Sequence, residues 1–446
     1  MTVTSQAPER RSGLGRVAAA WRSGPLSVPG FRLLTAGQFT STIGDYCSAV
    51  ALPWLVLSGG GSAASLGIVL ACYGIPRALL MVPAGSLADR FGPRRVMLGS
   101  DFARCLLAAV FAVLAAAHES SLLAVAPVAA LLGAFSALFL PASMAMMPSL
   151  VESSRLTSAN AVYTGFVQAG SMLGPVLGGV LVAVTGPSTA FAADAGSYLV
   201  SAVTLGFISA SATVADGAAA PVADAVAEPA GAAGDSGAGS VWGLLRQSRV
   251  LQIVLVVVLS ANFALVGTTE VALPALAHAR FGADGYGAVL TCVAVASILG
   301  ALIVGRVGDR FRPAVLIAAA FVVAAAAIAA APFIGGLPGL TAGMAVFGLG
   351  IGFDNVVSVT LIQRWAPPDM LGRVWGLLML ASVGSFPVAT FVAGLLVRHL
   401  GPTPIFPISG GLLALSMGYG LTRREFRDFG TVPEPGPAPG PAPADA

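Results

Sequence analysis

The chain has 446 residues, of which 56% are hydrophobic and only 10% are charged, and its mean hydropathy is +0.87. Soluble domains carry about 25% charged residues, so this balance excludes a soluble multidomain protein. The formal net charge is only +3, so the charge balance gives no indication of a nucleic-acid partner. All 23 basic residues are arginine, which together with the abundant alanine and glycine is typical of a GC-rich bacterial genome.

The first 30 residues are polar and rich in arginine, and twelve apolar segments follow them. Each segment is long enough to cross a bilayer as an α-helix, so the sequence predicts an all-α membrane protein with twelve transmembrane helices. The predicted spans are Leu33–Leu57, Leu66–Leu87, Val96–Ala117, Leu122–Met146, Ala161–Thr185 and Ala190–Ala210 in the first half, and Val250–Leu273, Tyr286–Val307, Ala314–Phe333, Leu340–Leu361, Val374–Val397 and Ile405–Leu421 in the second.

Composition divides the chain into five regions. Residues 1–30 are predicted to form a cytoplasmic arm, and residues 31–210 an N-terminal six-helix bundle. Residues 211–249 are rich in alanine and glycine, which is typical of a disordered linker, and they end in a stretch suited to a short interfacial helix. Residues 250–429 are predicted to form a C-terminal six-helix bundle, and the Pro/Ala-rich residues 430–446 a disordered tail.

The distribution of arginines between the apolar segments predicts the orientation of the chain. With the N-terminus inside, the outer loops contain only Arg280 and Arg398, and the other loop arginines lie on the cytoplasmic side. Positively charged loops remain cytoplasmic in membrane proteins. Both termini are therefore expected to be cytoplasmic.

One charged stretch, GSLADRFGPRRV from Gly85 to Val96, connects two apolar segments and is repeated in the second half. Five of its residues, among them Asp89 and Arg90, reappear 220 positions later, and Gly133 is related to Gly348 at an offset of 215. These repeats indicate two similar halves. The residues that we assign to a conformational latch are Gly85, Asp89, Arg90, Gly92 and Arg94, with Asp309 and Arg310 in the second copy.

The same stretch resembles the G-x-L-a-D-r-x-G-r-r signature of the major facilitator superfamily, with Pro93 in place of the first late basic residue. This resemblance implies two pseudo-symmetric six-helix bundles, the major facilitator fold, and transport by alternating access. Asp89 is then expected to face the positive N-terminus of the eleventh span, near Asp369–Arg373.

The fifth predicted span contains glycines four residues apart, which lie on one helix face and allow another helix to approach closely. Pro175 in the same span removes a backbone donor and favours a kink. Ordinary small-residue packing would explain such a row by itself. The whole string, however, resembles the G-x-x-x-G-P-x-x-G-G pattern of antiporter branches of the superfamily, which implies export; its residues are Gly170, Gly174, Pro175, Gly178 and Gly179.

Charged residues inside the spans cost about 2.5–3.5 kcal/mol each on insertion scales, so each is a functional candidate. Asp101 and Arg104 lie three residues apart and are expected to pair, with a purely structural role as the alternative. Arg77 lies in mid-span and needs a carboxylate or a cavity; Asp45 is its predicted partner. Asp194 lies near the outer end of the sixth span, where we expect it to reach water.

Three acids remain, Asp45, Glu270 and Asp354, in spans that the resemblance places around a central cavity. Removal from water disfavours the charged form of a carboxylate, which allows it to bind and release protons. Glu270 and Asp354 are expected to carry protons, whereas Arg77 would keep Asp45 ionised. The substrate-cavity candidates are Asp45, Tyr46, Phe139, Asn262, Phe263, Phe353 and Asn355, with packing or lipid contact as the alternative for the aromatic residues.

No nucleophile–base pair, metal-ligand spacing or phosphate-binding loop occurs in the sequence, so we expect neither enzymatic activity nor a cofactor. Energy must then come from an ion gradient, and buried acids without an oxygen cage favour protons over sodium. The sequence predicts a monomeric, multi-pass transporter of the bacterial plasma membrane.

From Phe31 to Phe429 the chain resembles drug and siderophore exporters of the superfamily, in the macrolide-efflux and enterobactin-exporter branch. This implies export of an amphiphilic drug, siderophore or secondary metabolite by proton antiport. A proton-coupled importer of a nutrient or lysolipid is one alternative. A membrane scaffold or sensor without transport is another, and it would need a signalling module in the linker or tail.

Overall fold

The computed structural model describes residues 24–208, 245, 248–307, 313–365 and 371–427. Several predicted features lie outside these described residues. They are the arm up to residue 23, nearly all of the linker and its interfacial helix, the tail from residue 428, and the latch residues Asp309 and Arg310.

Twelve long helical segments account for almost all of the described residues. In the first half they are α1 (Pro29–Ser58), α2 (Ala63–Phe91), α3 (Pro93–Ala116), α4 (Leu122–Leu150), α5 (Leu156–Thr185) and α6 (Pro187–Phe207). In the second half they are α7 (Arg249–Arg280), α8 (Gly282–Val307), α9 (Pro313–Ala330), α10 (Gly336–Trp365), α11 (Leu371–Leu400) and α12 (Ile405–Thr422), followed by the short α13 (Arg424–Arg427).

All twelve predicted spans are therefore helices, with ends within a few residues of the predicted bounds except in α7. Within the described residues, eleven helices are long and apolar enough to cross a membrane. The exception is α1, in which polar residues such as Gln38, Thr42 and Asp45 lower the mean hydropathy. The all-helical membrane fold is confirmed, while the orientation of the termini stays a prediction.

The charged stretch between α2 and α3 is almost entirely helical, although the sequence suggests a loop. Asp89 and Arg90 belong to the last turn of α2, and Arg94 to the first turn of α3. The connection is Gly92 alone, with φ of 85°, and Pro93 begins α3 at a position where its missing N–H costs nothing. The helices extend further than hydropathy predicts because glycine and proline permit so short a turn.

Contacts divide the chain into two compact units, one containing α1–α6 with Gly282–Gly287, and the other containing α7 and the rest of the second half. Within the first unit α1 packs on α5 and α6, and α3 packs on α4 and α6. The second unit repeats these pairs, because α7 packs on α11 and α12, and α9 packs on α10 and α12. Each unit has its own buried core, around Phe31, Met97 and Met147 in the first and around Phe321, Leu361 and Met417 in the second.

Two glycines related by the internal repeat make equivalent close contacts in the structure. A methyl group on Gly133 of α4 would collide with the backbone of Tyr73 in α2. One on Gly348 of α10 would lie 2.5 Å from the carbonyl oxygen of Val293 in α8. Val293 follows Tyr73 by 220 positions, the offset of the charged stretch. Equivalent helices thus meet at equivalent glycines in both halves.

We expect Gly92→Ala to destabilise the protein by about 1–2 kcal/mol, because a side chain strains the left-handed backbone at this position. Gly99→Ala is the matched control, since Gly99 lies inside α3 with open space around the position of an added methyl group. Thermal unfolding in detergent, followed by tryptophan fluorescence, should show a lower Tm for Gly92→Ala only. Equal Tm values would contradict the role assigned to Gly92.

Candidate functional site

Two buried charges of α3 form an ion pair inside the first unit. Arg104 Nη2 donates to Asp101 Oδ1, and the two residues are 3% and 0% exposed. Because they lie three residues apart on one helix, the pair forms within a single turn. The predicted pairing of Asp101 with Arg104 is thus present, and burial makes each charge depend on the other.

Aromatic rings hold the guanidinium of Arg104 on two sides. Its central carbon lies 4.4 Å from the ring centroid of Phe139 in α4 and 4.4 Å from that of Tyr198 in α6. Cation–π contacts of this kind are strongest where water is excluded. Phe139 is only 4% exposed, so its contact is with Arg104 and the core.

Hydroxyl groups of α6 bond to the ion pair of α3 and to Asp45 of α1. Ser201 Oγ donates to Asp101 Oδ2 at 2.6 Å, and Tyr198 Oη donates to Asp45 Oδ1. Asp45 is half-buried and its neighbour Tyr46 is 41% exposed. Asp45 is therefore the member of this network that lies nearest to an accessible surface.

Asp194 of α6 is fully buried, which contradicts the expectation that it reaches water. Its Oδ2 accepts a hydrogen bond from Ser48 Oγ at 2.5 Å, and its Oδ1 one from Ser197 Oγ at 3.3 Å. Hydropathy places it near the end of the span, but α1 covers it: a methyl group on Gly44 would lie 2.5 Å from Asp194 Oδ1.

Arg77 of α2 does not pair with Asp45 as predicted. Arg77 Nη1 donates to Tyr73 Oη at 3.2 Å, one helical turn earlier, and the side chain is exposed. A tyrosine hydroxyl thus takes the place of the predicted carboxylate, and the cavity proposed as the alternative for this charge stays a prediction.

In the second unit, Glu270 lies in a π-helical segment of α7, Gly267–Ala272. Such segments are rare and occur often at functional sites. Thr268 and Thr269 donate to carbonyl oxygens one turn earlier, at 2.9 Å each. Within the described residues, no hydrogen bond or ion pair joins the half-buried Glu270 carboxylate to another residue.

The other candidates of the second unit have polar partners of their own. Asp354 Oδ1 accepts from Ser358 Oγ at 2.5 Å within α10. Asn262 Nδ2 donates to Val258 O at 2.9 Å and to Ser382 Oγ of α11 at 3.4 Å. Phe263 and Phe353 are half-buried, Phe353 against the core, while Asn355 is exposed.

The glycine row of α5 packs directly on α1. A methyl group on Gly170 would lie 3.0 Å from Thr42 Cβ, one on Gly174 2.5 Å from Tyr46 Cβ, and one on Gly178 2.8 Å from Cys47 Cα. Gly174 O also accepts a hydrogen bond from Cys47 Sγ at 3.4 Å. Pro175 lies inside the same helix, and Gly179 is buried. The row thus brings two backbones together beside Asp45.

Of the latch residues in the first half, Arg94 has the best-defined contacts. Its Nε and Nη2 donate to Leu205 O and Gly206 O, at 3.0 and 2.8 Å, in the last turn of α6. Cations stabilise helix C-termini. Gly85 is half-buried, Arg90 lies over the ring of Phe91, and Asp89 is exposed; its predicted partner segment begins outside the described residues.

The sequence points to Asp194 as a charge within a span, but the hydroxyl groups of α6 that complete the first network are not among the predicted site residues. Asp194, Ser197, Tyr198 and Ser201 recur at intervals of three and four residues, which places them on one helix face. A polar stripe of this kind in an apolar helix indicates a polar contact with another helix. It is not visible when only the charged residues of the spans are considered.

Comparisons with known proteins point to one family over most of the chain. The family model described as Major Facilitator Superfamily matches residues 34–288 and 266–443. The chain is 27% identical over 386 residues to the multidrug efflux pump Tap of Mycolicibacterium fortuitum, covering 85% of this chain and 91% of that protein. It is 25% identical over 414 residues to the enterobactin exporter EntS of Salmonella choleraesuis (strain SC-B67), covering 91% and 95%.

A solved structure of the nucleoside transporter NupG has a TM-score of 0.64 at 13% identity, covering 89% of this chain and 99% of that one. At this identity the likeness concerns the fold.

We expect Arg104→Gln to destabilise the protein by about 3–5 kcal/mol, because it leaves the buried Asp101 without its cation. The double variant Asp101→Asn with Arg104→Gln should recover much of this loss, since it removes both charges. Unfolding in detergent measures both. Equal destabilisation by the single and double variants would contradict the assignment of Arg104 as the counter-ion of Asp101.

Proposed function

The chain belongs to the major facilitator superfamily and is a multi-pass secondary transporter, and we propose that it exports an amphiphilic organic compound in exchange for protons. The observation that carries export is the similarity to an efflux pump and a siderophore exporter over 85% and 91% of this chain. The resemblance to the drug and siderophore branch thus agrees with the relatives.

The packing of α5 on α1 supports an exchange mechanism. The close glycine contacts at Gly170, Gly174 and Gly178 leave no room for side chains between these helices. Such an interface holds two helices together mainly by close backbone packing. We assign it the antiporter role implied by the Gly-Pro string.

For proton coupling we assign Glu270 and Asp354, with Asp45 in the first unit. Glu270 is the best-supported proton carrier. It lies in a π-helical segment, it is half-buried, and its carboxylate has no hydrogen-bonding partner within the described residues. A carboxylate so placed gains by binding a proton. Asp354 has one hydroxyl donor and no cation beside it in the described chain.

For substrate contact we assign Asp45 and Tyr46 in the first unit and Asn262, Phe263 and Asn355 in the second. Asp45 supplies a negative charge for a cationic group, and the aromatic rings supply apolar surface. Phe139 and Phe353 fit this role less well, since Phe139 is buried against Arg104 and Phe353 packs on the core. The protein is proposed to act as a monomer by alternating access, with the Asp89 stretch as latch.

Glu270→Gln and Asp354→Asn are expected to abolish transport driven by a pH gradient yet leave downhill exchange partly intact. The amide side chains cannot take up a proton at neutral pH, whereas the residues assigned to substrate contact are unchanged. Ethidium, a cationic amphiphile, is the probe in proteoliposomes. Glu119→Gln is the control, since Glu119 is an exposed residue between α3 and α4. If both neutral variants retain gradient-driven transport, neither residue carries the proton.

Gly174→Leu is expected to abolish ethidium transport and to lower stability by about 1–3 kcal/mol, because the side chain must displace Tyr46 and the backbone at Ile43. Gly165→Leu on the same helix is the matched control, since no atoms surround that position. Transport and Tm are measured for both in the same preparation. Wild-type transport by Gly174→Leu would contradict the proposed role of the α5 row.

A further inference from the structure

Polar residues of three helices form a continuous buried seam inside the first unit. Its contacts alternate between helices: Ser48 of α1 donates to Asp194 of α6, and Tyr198 of α6 donates back to Asp45 of α1. Ser201 continues the contacts to the ion pair of α3. The polar seam consists of Ser41, Asp45 and Ser48 of α1, Asp101 and Arg104 of α3, and Asp194, Ser197, Tyr198 and Ser201 of α6.

Charge is unbalanced in the polar seam. It contains three carboxylates and one guanidinium, and Arg104 is already bound to Asp101. Arg77 lies outside it, exposed and bonded to Tyr73. Asp194, 0% exposed, has no cation bonded to it among the described residues; the hydrogen-bond donors to its carboxylate there are the hydroxyls of Ser48 and Ser197. An ionised carboxylate without a cation is costly in a protein interior.

The space around Asp194 fits a proton and excludes a metal cation. Ser48 Oγ lies 2.5 Å from Asp194 Oδ2, a distance at which no ion can stand between the two oxygens. On the other side, the backbone of α1 at Gly44 is so close that even a methyl group would overlap Ser197 and Asp194. The hydrogen between Oδ2 and Ser48 Oγ belongs to the serine, so a bound proton sits on Oδ1. From there it can be donated to Ser197 Oγ at 3.3 Å, whose own hydrogen goes to the backbone oxygen of Asp194 at 2.7 Å.

Unpartnered polar atoms in the polar seam point independently to proton exchange. Among the residues that the structure describes, buried Ser41 Oγ and Arg104 Nε have no hydrogen-bond partner. Ser41 lies between Gly37, which contacts Ser201, and Gly44, which contacts Ser197. It therefore faces the same stretch of α6. Buried groups of this kind bind ordered water, which conducts protons along hydrogen bonds.

The other titratable groups around Asp194 are few. From α1, Asp45 and Cys47 interact with it electrostatically, and from α3 Cys105 and Arg104 do so. Tyr198 is its neighbour one turn along α6. The remaining groups are Asp101 of α3, Tyr163 of α5 and Arg77 of α2, each of which bonds to a residue other than Asp194. Asp45 is therefore the carboxylate of a neighbouring helix that interacts with Asp194.

We propose that the polar seam is a second proton-binding site, in which Asp194 holds the proton and the half-buried Asp45 exchanges it with water. Its part in transport rests on the proposed proton coupling. On release, the O–H bond at Asp194 breaks and the proton leaves through water to Asp45 and then to bulk water as hydronium. The remaining carboxylate keeps the hydrogen bonds of Ser48 and Ser197 and the field of Arg104.

Infrared difference spectroscopy of the full chain in lipid, between acidic and alkaline buffer, tests this site. The Glu270→Gln, Asp354→Asn background removes the coupling acids of the second unit. We expect this background to show, besides the bands of exposed acids, a protonated-carboxyl band that is lost in Asp194→Asn and retained in the control Glu119→Gln. A missing band, or one that persists in Asp194→Asn, overturns the proposal.

Ser48→Ala is measured in place of Asp194→Asn if the latter does not fold. Removal of the hydroxyl takes away a hydrogen bond to Asp194 and should shift the band to higher frequency. An unshifted band overturns the assignment. The band is measured without substrate. A protein that shows it but carries no ethidium under a pH gradient would therefore contradict the proposed function while leaving the proton site in place.

Discussion

A charge inside an apolar helix bundle must be neutralised or solvated nearby, and the first unit is arranged around this constraint. Arg104 meets it through Asp101 and two aromatic rings from other helices. The same aromatic residue, Tyr198, then reaches Asp45, so one buried cation fixes the relative positions of α1, α3, α4 and α6. The residues that hold these helices together are thus the same residues to which we assign the proposed proton site.

The second unit repeats the helix pairing of the first but not its charges. It has no equivalent of the Arg104 pair within the described residues, and Glu270 lies in a π-helical segment without an ionic partner. A carboxylate of this kind changes its protonation more readily than one that is held by an arginine. On the proposed proton coupling, the π-helical segment of α7 is the place where a change of charge meets the most irregular helix geometry.

The sequence predicts features that depend on neighbouring residues better than those that depend on contacts between helices. Hydropathy finds all twelve helices, and the spacing of Asp101 and Arg104 predicts their pairing, because one helical turn determines it. The burial of Asp194 and the contacts of Tyr198 arise from other helices, so hydropathy misses them. Two local features are exceptions. The bond of Arg77 to Tyr73, one turn away, is missed because only carboxylates are considered as partners for this charge. The turn at Gly92 is missed because hydropathy does not report backbone conformation.

Outward movement of substrate in exchange for protons can be measured in everted membrane vesicles that hold an acidic interior, with a pH-sensitive dye reporting the gradient. Ethidium added outside is expected to accumulate in vesicles containing the wild-type protein and partly to dissipate the pH gradient, and vesicles without the protein are expected to show neither effect. Ethidium accumulation that leaves the pH gradient unchanged and persists after the gradient is abolished by an ionophore would contradict exchange for protons.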